Sequence, residues 1–154
     1  MNNLIWAKFS DTAIVPTKIE ENAGFDLYCD YKSLGLSDTI TFKPFETKRL
    51  DSNIGVVIPN GYVGIVKERS STGKYSCFVG SGVIDSGYRH GIGVFFTNTS
   101  DKDMTLDLKK AVAQMVIVEC LHDNSTNIIT ISPEEFAKLY PSNRGIGREG
   151  STGK

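Results

Sequence analysis

Hydrophobic and polar positions alternate over short runs through most of this chain, and turn-forming residues separate the runs. Such runs, rich in Val, Ile, Thr and aromatic side chains, are typical of β-strands, and their short regular spacing favours an all-β sandwich or barrel. In the middle of the chain we predict strands at residues 39–42, 47–50, 55–58, 62–67, 76–79 and 92–98. Elsewhere we predict strands at residues 4–9, 13–19, 104–108, 112–121 and 127–131, of which 13–19 is an edge or irregular piece because it contains Pro16.

A single segment predicts a helix. Ser132 occupies the N-cap position, Pro133 the first helical position and Glu135 the capping-box position, so a helix begins here. Pro141 ends it after about two turns. The last residues, 143–154, are polar and rich in glycine without hydrophobic periodicity, and this composition is typical of a mobile tail or arm.

Residues 80–93 combine backbone freedom with few reactive side chains. Gly80 and Gly82 permit a positive φ and carry no Cβ, so a ligand can approach the peptide groups and hydrogen-bond to them. The carboxylate of Asp85 and the phenol of Tyr88 follow at a spacing that suits the two sides of a small pocket. The alternative is a glycine-rich β-hairpin in which Asp85 caps a turn.

Composition and charge narrow the class of partner. The 154 residues suit one domain, and a net charge of −1 gives no reason to expect a nucleic-acid polymer or an anionic membrane as partner. Three cysteines without a Cys-x-x-Cys pair argue against a disulfide framework or a zinc site. The chain shows no apolar run long enough to span a bilayer, so we expect an intracellular, cytoplasmic or nuclear, protein.

Residues 68–74 carry the chemistry of an anion site. Arg69 offers a planar fork of donors, and Ser70 and Ser71 add hydroxyls directly after a predicted strand. A solvated turn explains the same residues equally well. Neither this segment nor residues 150–154, which repeat its Ser-Thr-Gly-Lys, is a P-loop, because the glycine five residues before the Gly-Lys pair is missing from both.

Five stretches, residues 23–27, 69–71, 82–89, 113–114 and 144–153, together resemble the five motifs of the trimeric dUTP diphosphatase (dUTPase) family. The resemblance spans nearly the whole chain, and the third motif, Gly-Val-Ile-Asp-x-x-Tyr-Arg, is its most specific part. It implies a jelly-roll-like β subunit with a flexible C-terminal arm and a homotrimer with active sites at subunit interfaces. It also implies Mg²⁺-dependent hydrolysis of dUTP to dUMP and pyrophosphate, which limits uracil incorporation into DNA and supplies dUMP for dTTP synthesis.

The resemblance also assigns roles to single residues. Asp85 takes the place of the general base that deprotonates the attacking water, a role worth about 10² to 10⁴ in rate. Tyr88 takes the place of the ring that packs on the deoxyribose. The main chain that contacts the uracil edge is matched by Gly80, Gly82, Val83 and Ile84.

Phosphate, metal and arm contacts are assigned in the same way. The residues implied to contact the phosphates are Arg69, Ser70, Ser71 and Gln114, and Gln114 belongs to the catalytic set together with Asp85. Asp26 matches the carboxylate that holds Mg²⁺ through water. The residues that match the arm, which closes over the substrate, are Arg144, Ser151 and Thr152.

The sequence departs from the family pattern at three places. Glu149 stands where many members carry a phenylalanine that stacks on uracil, and Phe95 and Phe96 are the nearest aromatic replacements. Ala111 replaces an arginine, and His90-Gly91 replaces a pair that begins with glycine.

Two other functions compete with hydrolysis of dUTP. A dCTP deaminase shares the fold and the Arg-Ser-Ser motif but requires a glutamate base and an aromatic-Glu-Gly sequence where Tyr88-Arg89-His90 stands. A non-catalytic trimer of the same fold that acts as a protein-binding or regulatory module is the other alternative. The altered arm is the feature that favours it.

Overall fold

The computed structural model describes residues 3–121 and 127–142. The chain divides into two compact units, Met1–His122 and Asp123–Lys154. The prediction of one domain over residues 1–154 stays a prediction, and the predicted arm, residues 143–154, lies outside the described residues. Neither helix of the described ranges is long and apolar enough to cross a membrane.

The first unit is built from short strands, as the alternating pattern predicts. Residues 3–121 of this unit form eleven strands, which are β1 (Ile5–Lys8), β2 (Gly24–Leu27), β3 (Thr39–Phe42), β4 (Thr47–Asp51), β5 (Ile54–Val57), β6 (Tyr62–Lys67), β7 (Cys77–Val79), β8 (Val83–Ile84), β9 (Gly93–Asn98), β10 (Met104–Asp107) and β11 (Ala113–Glu119). A single-turn helix, α1 (Ser70–Gly73), follows β6. The predicted all-β class is confirmed.

The strands form four small antiparallel sheets, whose strand orders are β1-β5, β10-β3, β2-β11-β6-β8 and β4-β9-β7. The four-stranded sheet concerns function most, because β2, β6, β8 and β11 come from or border the four candidate motifs of this unit. In its register Gln114 of β11 lies opposite both Asp26 of β2 and Lys67 of β6. Residues opposite one another in an antiparallel pair project to the same face, so these three side chains share one row.

The core lies on the other face of that sheet and between it and the remaining strands. Its largest fully buried apolar side chains are Phe42, Phe96, Leu27, Leu50, Ile54, Ile58, Ile92, Leu108, Val94 and Met115. The rings of Phe42 and Phe96 meet at a centroid distance of 6.4 Å in a tilted arrangement. Such aromatic contacts add to the free energy that burial of apolar area contributes.

The second unit contains α2 (Pro133–Leu139), the predicted helix. The Ser132 hydroxyl accepts a hydrogen bond from the Glu135 backbone N–H at 3.2 Å, and the Glu135 carboxylate accepts one from the Ser132 N–H at 3.1 Å. This reciprocal pair is the predicted capping box, and Pro133 begins the helix as predicted.

Two sequence predictions of local structure are wrong. Residues 127–131 form no strand, although their Ile and Thr content favours one. Residues 70–73 form α1, where the sequence predicted a turn. Residues 13–19 contribute a single bridge, Thr17 to Asp26, which agrees with the edge or irregular piece that Pro16 predicts.

The buried carboxylate of Asp30 connects the loop after β1 to the rest of the first unit through hydrogen bonds. It is 2% exposed and accepts hydrogen bonds from the Ser10 hydroxyl, from Thr12 Oγ1 at 2.6 Å and from Asn53 Nδ2 at 2.9 Å. Burial acts to raise the pKa of Asp30, but the hydrogen bonds from Ser10, Thr12, Asn53 and the Ser33 backbone outweigh it and lower the pKa below 3.8. The folded state therefore favours the ionised carboxylate.

The lowered pKa predicts a pH-dependent contribution to stability. Because the folded pKa lies below the unfolded value of 3.8, the contribution is complete above 3.8 and is lost as the pH falls through the folded pKa. We expect Asp30→Asn to lower the free energy of unfolding by about 1–3 kcal/mol at neutral pH, because a charged acceptor of buried donors is lost. Urea unfolding at a series of pH values measures this difference, which should shrink below pH 3.8. A difference that grows on acidification, or one that the exposed control Asp11→Asn reproduces, contradicts this role of Asp30.

Candidate functional site

Two side chains from distant motifs form an ion pair at the edge of the four-stranded sheet. Arg69 Nε donates to Asp26 Oδ1 at 2.9 Å and Arg69 Nη2 donates to Asp26 Oδ2 at 3.0 Å. The two side chains are 29% and 28% exposed. This fork-to-carboxylate geometry fixes both planes, which a lysine in place of the arginine would not do.

Helix α1 holds Arg69 in this position. Arg69 is the N-cap residue, and Thr72, which is buried, accepts from the Arg69 N–H and donates to the Arg69 carbonyl through the same hydroxyl, both at 2.8 Å. Arg69 Nη1 also donates to Ser71 Oγ at 3.3 Å and to the Ala111 carbonyl at 3.2 Å. The guanidinium is therefore fixed from both sides, and the exposed Ser71 hydroxyl lies beside it.

Gln114 lies opposite Asp26 on the neighbouring strand. Its Nε2 donates to the Glu68 carbonyl at 2.8 Å. A Cβ on Gly24 would lie 2.6 Å from Gln114 Oε1, so the glycine of the first motif leaves room for the Gln114 side chain. Asp26, Arg69, Ser71 and Gln114, with Ser70 between Arg69 and Ser71, are called the polar cluster below. The structure thus brings together candidate residues from three separate motifs.

One glycine of the glycine-rich stretch adopts the positive φ that its sequence permits. Gly82 has a φ of +67°, a conformation that other residues rarely adopt. Its carbonyl accepts from the Val66 N–H at 3.1 Å, and the Gly80 N–H donates to the Phe95 carbonyl at 2.8 Å. Residues 80–88, called the glycine loop below, are therefore anchored to β6 and β9.

Asp85 and Tyr88 lie together at the turn after β8. The Tyr88 N–H donates to the Asp85 carbonyl at 3.0 Å, which closes the turn. Val83 is 57% exposed and Ile84 is 6% exposed, and Asp85 continues the alternation as an exposed side chain. Tyr88 packs against the core and donates its hydroxyl to the Gly91 carbonyl at 3.0 Å, so the ring is held in one orientation.

Asp85 and the polar cluster lie toward opposite ends of β6. Strand β8 pairs with β6 so that Ile84 is opposite Gly64, and Asp85 therefore lies on the Val63 side. Arg69, in contrast, follows the last residue of β6. With a rise of about 3.3 Å per residue, the segment from Val63 to the end of β6 alone spans about 13 Å. Within one chain, Asp85 and Arg69 do not serve the same small site.

Comparison with known proteins decides the family. The family model described as dUTPase matches residues 10–153 of this chain. The chain belongs to the dUTPase family. A relative named deoxyuridine 5'-triphosphate nucleotidohydrolase, from Swinepox virus (strain Kasza), is 31% identical over 128 residues, which cover 75% of this chain and 85% of the relative.

Solved dUTPase structures share the fold. The dUTPase of Staphylococcus bacteriophage 80alpha, solved as a mutant with dUpNHpp, superposes with a TM-score of 0.78 at 21% identity, and all of both chains is covered. A mutant dUTPase from phage phi11 of S. aureus, solved with a structural Mg(II) ion, gives a TM-score of 0.70 at 22% identity over 88% of this chain and 99% of that one. The predicted jelly-roll-like fold is confirmed.

Two of the departures from the dUTPase motifs, Ala111 and His90, lie among described residues. Ala111 is 7% exposed, and its backbone carbonyl accepts a hydrogen bond from Arg69 Nη1. The His90 ring meets the Tyr88 ring edge-on at a centroid distance of 5.9 Å and lies beside the glycine loop.

One of the two proposed aromatic replacements is wrong. Phe96 is 0% exposed and lies in the core, so it is not available to stack on a base. Phe95 is 44% exposed beside Gly80, and Phe78, which lies opposite Thr97 on the neighbouring strand, is 62% exposed. The arm residues Arg144, Glu149, Ser151 and Thr152 lie outside the described residues.

Proposed function

We propose that this protein hydrolyses dUTP to dUMP and pyrophosphate with Mg²⁺, as a homotrimer with active sites at subunit interfaces. The observation that carries the proposal is the pair of separated half-sites, a glycine loop that ends in the exposed carboxylate Asp85 and a polar cluster fixed by the Arg69–Asp26 fork. Family membership over residues 10–153 gives the reaction class that these two half-sites suit.

In the proposed reaction Asp85 acts as the general base. Its carboxylate takes a proton from a water whose oxygen forms a bond to the α-phosphorus, and the bond from that phosphorus to the bridging oxygen breaks. Pyrophosphate leaves with the electron pair and dUMP keeps the new oxygen. The exposure of Asp85 and its place directly after a fixed two-residue strand support this role, because a base must reach its water without rearranging.

Recognition of the nucleoside falls to the glycine loop. The main chain of Gly80, Gly82, Val83 and Ile84 is proposed to hydrogen-bond the uracil edge, and the positive φ of Gly82 turns the peptide groups for it. The Tyr88 ring, fixed by its hydroxyl and by the core, would pack on the deoxyribose and leave no room for a 2′-hydroxyl. A rigid ring discriminates against UTP because it cannot move aside.

The polar cluster is proposed to bind the phosphates. Ser71 presents an exposed hydroxyl beside the Arg69 fork, Ser70 precedes it in the chain, and Gln114 lies opposite Asp26. The residues proposed to close over them from the arm are Arg144, Ser151 and Thr152. Positioned donors of this kind stabilise the negative charge that develops on the leaving phosphate oxygens.

Asp26 suits a magnesium ion held through water. Both of its carboxylate oxygens accept from Arg69, yet each keeps a further lone pair, and the side chain is 28% exposed. Among residues 3–121 and 127–142 no cluster of three metal-ligating side chains exists. Magnesium is usually held by one or two carboxylates together with waters and substrate phosphates. Bound there, Mg²⁺ would neutralise phosphate charge, while Arg69 would keep the Asp26 carboxylate oriented.

The trimer is supported by the apolar outer face of the four-stranded sheet. On the face that carries the polar cluster, Val63, Ile65 and Val116 are half-buried, and Val83 and Val118 are 57% and 44% exposed. A contiguous apolar patch of this kind marks a protein–protein contact. Association of identical copies would cover it and bring the glycine loop of one copy to the polar cluster of the next.

Pyrophosphate release from dUTP, followed with and without EDTA, tests the proposal. Ammonia release from dCTP would instead support the deaminase alternative, and binding of dUTP without turnover would support the regulatory module. We further propose an intracellular role in keeping uracil out of DNA and in supplying dUMP.

A further inference from the structure

Lys67 lies in one row with Gln114 and Asp26 on the outer face of the four-stranded sheet, and it belongs to none of the five motifs. It lies opposite Gln114, which in turn lies opposite Asp26, so the three side chains project from one face of β6, β11 and β2. Opposite residues have Cβ atoms about 4.5–5.5 Å apart. The preceding residue, Val66, is 3% exposed and points into the core, whereas the Lys67 side chain is 56% exposed on the outer face.

A further cation on this face would add to the attraction of a polyphosphate. The guanidinium of Arg69 donates to both oxygens of Asp26, so the carboxylate offsets part of the charge that Arg69 offers to the phosphates. The Glu68 side chain adds a negative charge beside them. A nucleoside triphosphate that bound over Gln114 would therefore meet one ammonium group on the row, that of Lys67.

The ion pair that Lys67 makes in this structure is weak enough to exchange. Its Nζ lies 3.4 Å from Glu68 Oε2, and the Glu68 side chain is 47% exposed. Exposed pairs between neighbouring residues contribute little to stability and are screened by salt. A phosphate oxygen is a stronger partner, because a triphosphate concentrates several charges at one place.

We propose that Lys67 is a further substrate-binding residue, whose ammonium group binds the phosphate chain of the nucleotide next to Gln114. The inference rests on the proposed function, since it concerns the same substrate. In this arrangement Lys67 supplies the mobile positive charge of the row, and Glu68 holds the ammonium group near the row until the nucleotide arrives. The positive charge of Lys67 therefore raises the affinity for the phosphates, and the negative charge of Glu68 lowers it.

Calorimetric titration with dUpNHpp and with dUMP tests this role. Lys67→Met should weaken dUpNHpp binding about 10-fold, the scale of one charge-assisted hydrogen bond, and should weaken dUMP binding less because dUMP carries less charge. Lys67→Arg should retain most of the affinity. Glu68→Gln should tighten dUpNHpp binding about 2- to 3-fold, because Gln114 donates to the Glu68 backbone carbonyl and not to its side chain.

The matched control is Lys102→Met, the same substitution at an exposed position between β9 and β10. It should bind both nucleotides as the wild type does. Equal affinity of the Lys67→Met and wild-type proteins for dUpNHpp, or an equal loss for dUMP, overturns the role of Lys67 while the wild type still hydrolyses dUTP. A wild-type protein that neither binds dUpNHpp nor hydrolyses dUTP overturns the proposed function together with this inference.

Discussion

Asp85→Asn should lower kcat for dUTP about 10²- to 10⁴-fold. The amide is nearly isosteric with the carboxylate but does not accept a proton from the attacking water. Asp85 is exposed and its backbone carbonyl closes the turn to Tyr88, so the substitution leaves the fold and the glycine loop intact. Binding of dUpNHpp should therefore stay within a few-fold of the wild type. Single-turnover kinetics separate the two effects, because they report the chemical step without product release.

The control for this variant is Asp101→Asn, which removes an exposed carboxylate from the turn after β9. It should leave kcat unchanged. If Asp85→Asn keeps kcat within a few-fold of the wild type, Asp85 is not the base. A loss of kcat accompanied by an equal loss of dUpNHpp affinity would assign Asp85 to substrate binding.

Two inactive variants should restore activity when they are assembled together. Arg69→Gln removes the fork from the polar cluster and should lower kcat about 10²- to 10³-fold, the scale for loss of one preorganised donor group. Asp85→Asn leaves the polar cluster intact and Arg69→Gln leaves the glycine loop intact. Co-refolded in equal amounts, they should show about a quarter of the wild-type rate, because random assembly gives that share of sites with two intact halves.

The same mixture without co-refolding is the control, since preformed oligomers that do not exchange subunits should stay inactive. Size-exclusion chromatography shows whether each variant assembles like the wild type. A co-refolded mixture no more active than the sum of its components would place Asp85 and Arg69 in one site of one chain. That result would contradict the separation along β6.

The strands were predictable because their pattern is local. Residues 39–42 and 62–67 match strands β3 and β6, since alternation fixes which side chains enter the core. Helix α2 was predictable for a similar reason, because the capping box lies within four consecutive residues. Residues 127–131 show the limit, since Ile and Thr favour a strand only when a neighbouring strand supplies the hydrogen bonds.

The arrangement of the site was predictable only in part. The residue types of the motifs indicated phosphate chemistry, but the bond between Arg69 and Asp26 joins positions 43 residues apart and depends on the pairing of β2, β11 and β6. Helix α1 has four residues, too few for any hydrophobic period, and the Thr72 hydroxyl bonds both polar groups of the Arg69 backbone. The register that places Lys67 beside Gln114 is also a tertiary fact.

Release of pyrophosphate by the purified protein, supplied in turn with dUTP, UTP, dTTP and dCTP in excess Mg²⁺, tests the central claim most directly. The account predicts release from dUTP, little from the other three nucleotides, and a loss of release from dUTP when EDTA removes the metal. An intact dUTP pool in the presence of Mg²⁺, or equal release from UTP, would contradict it.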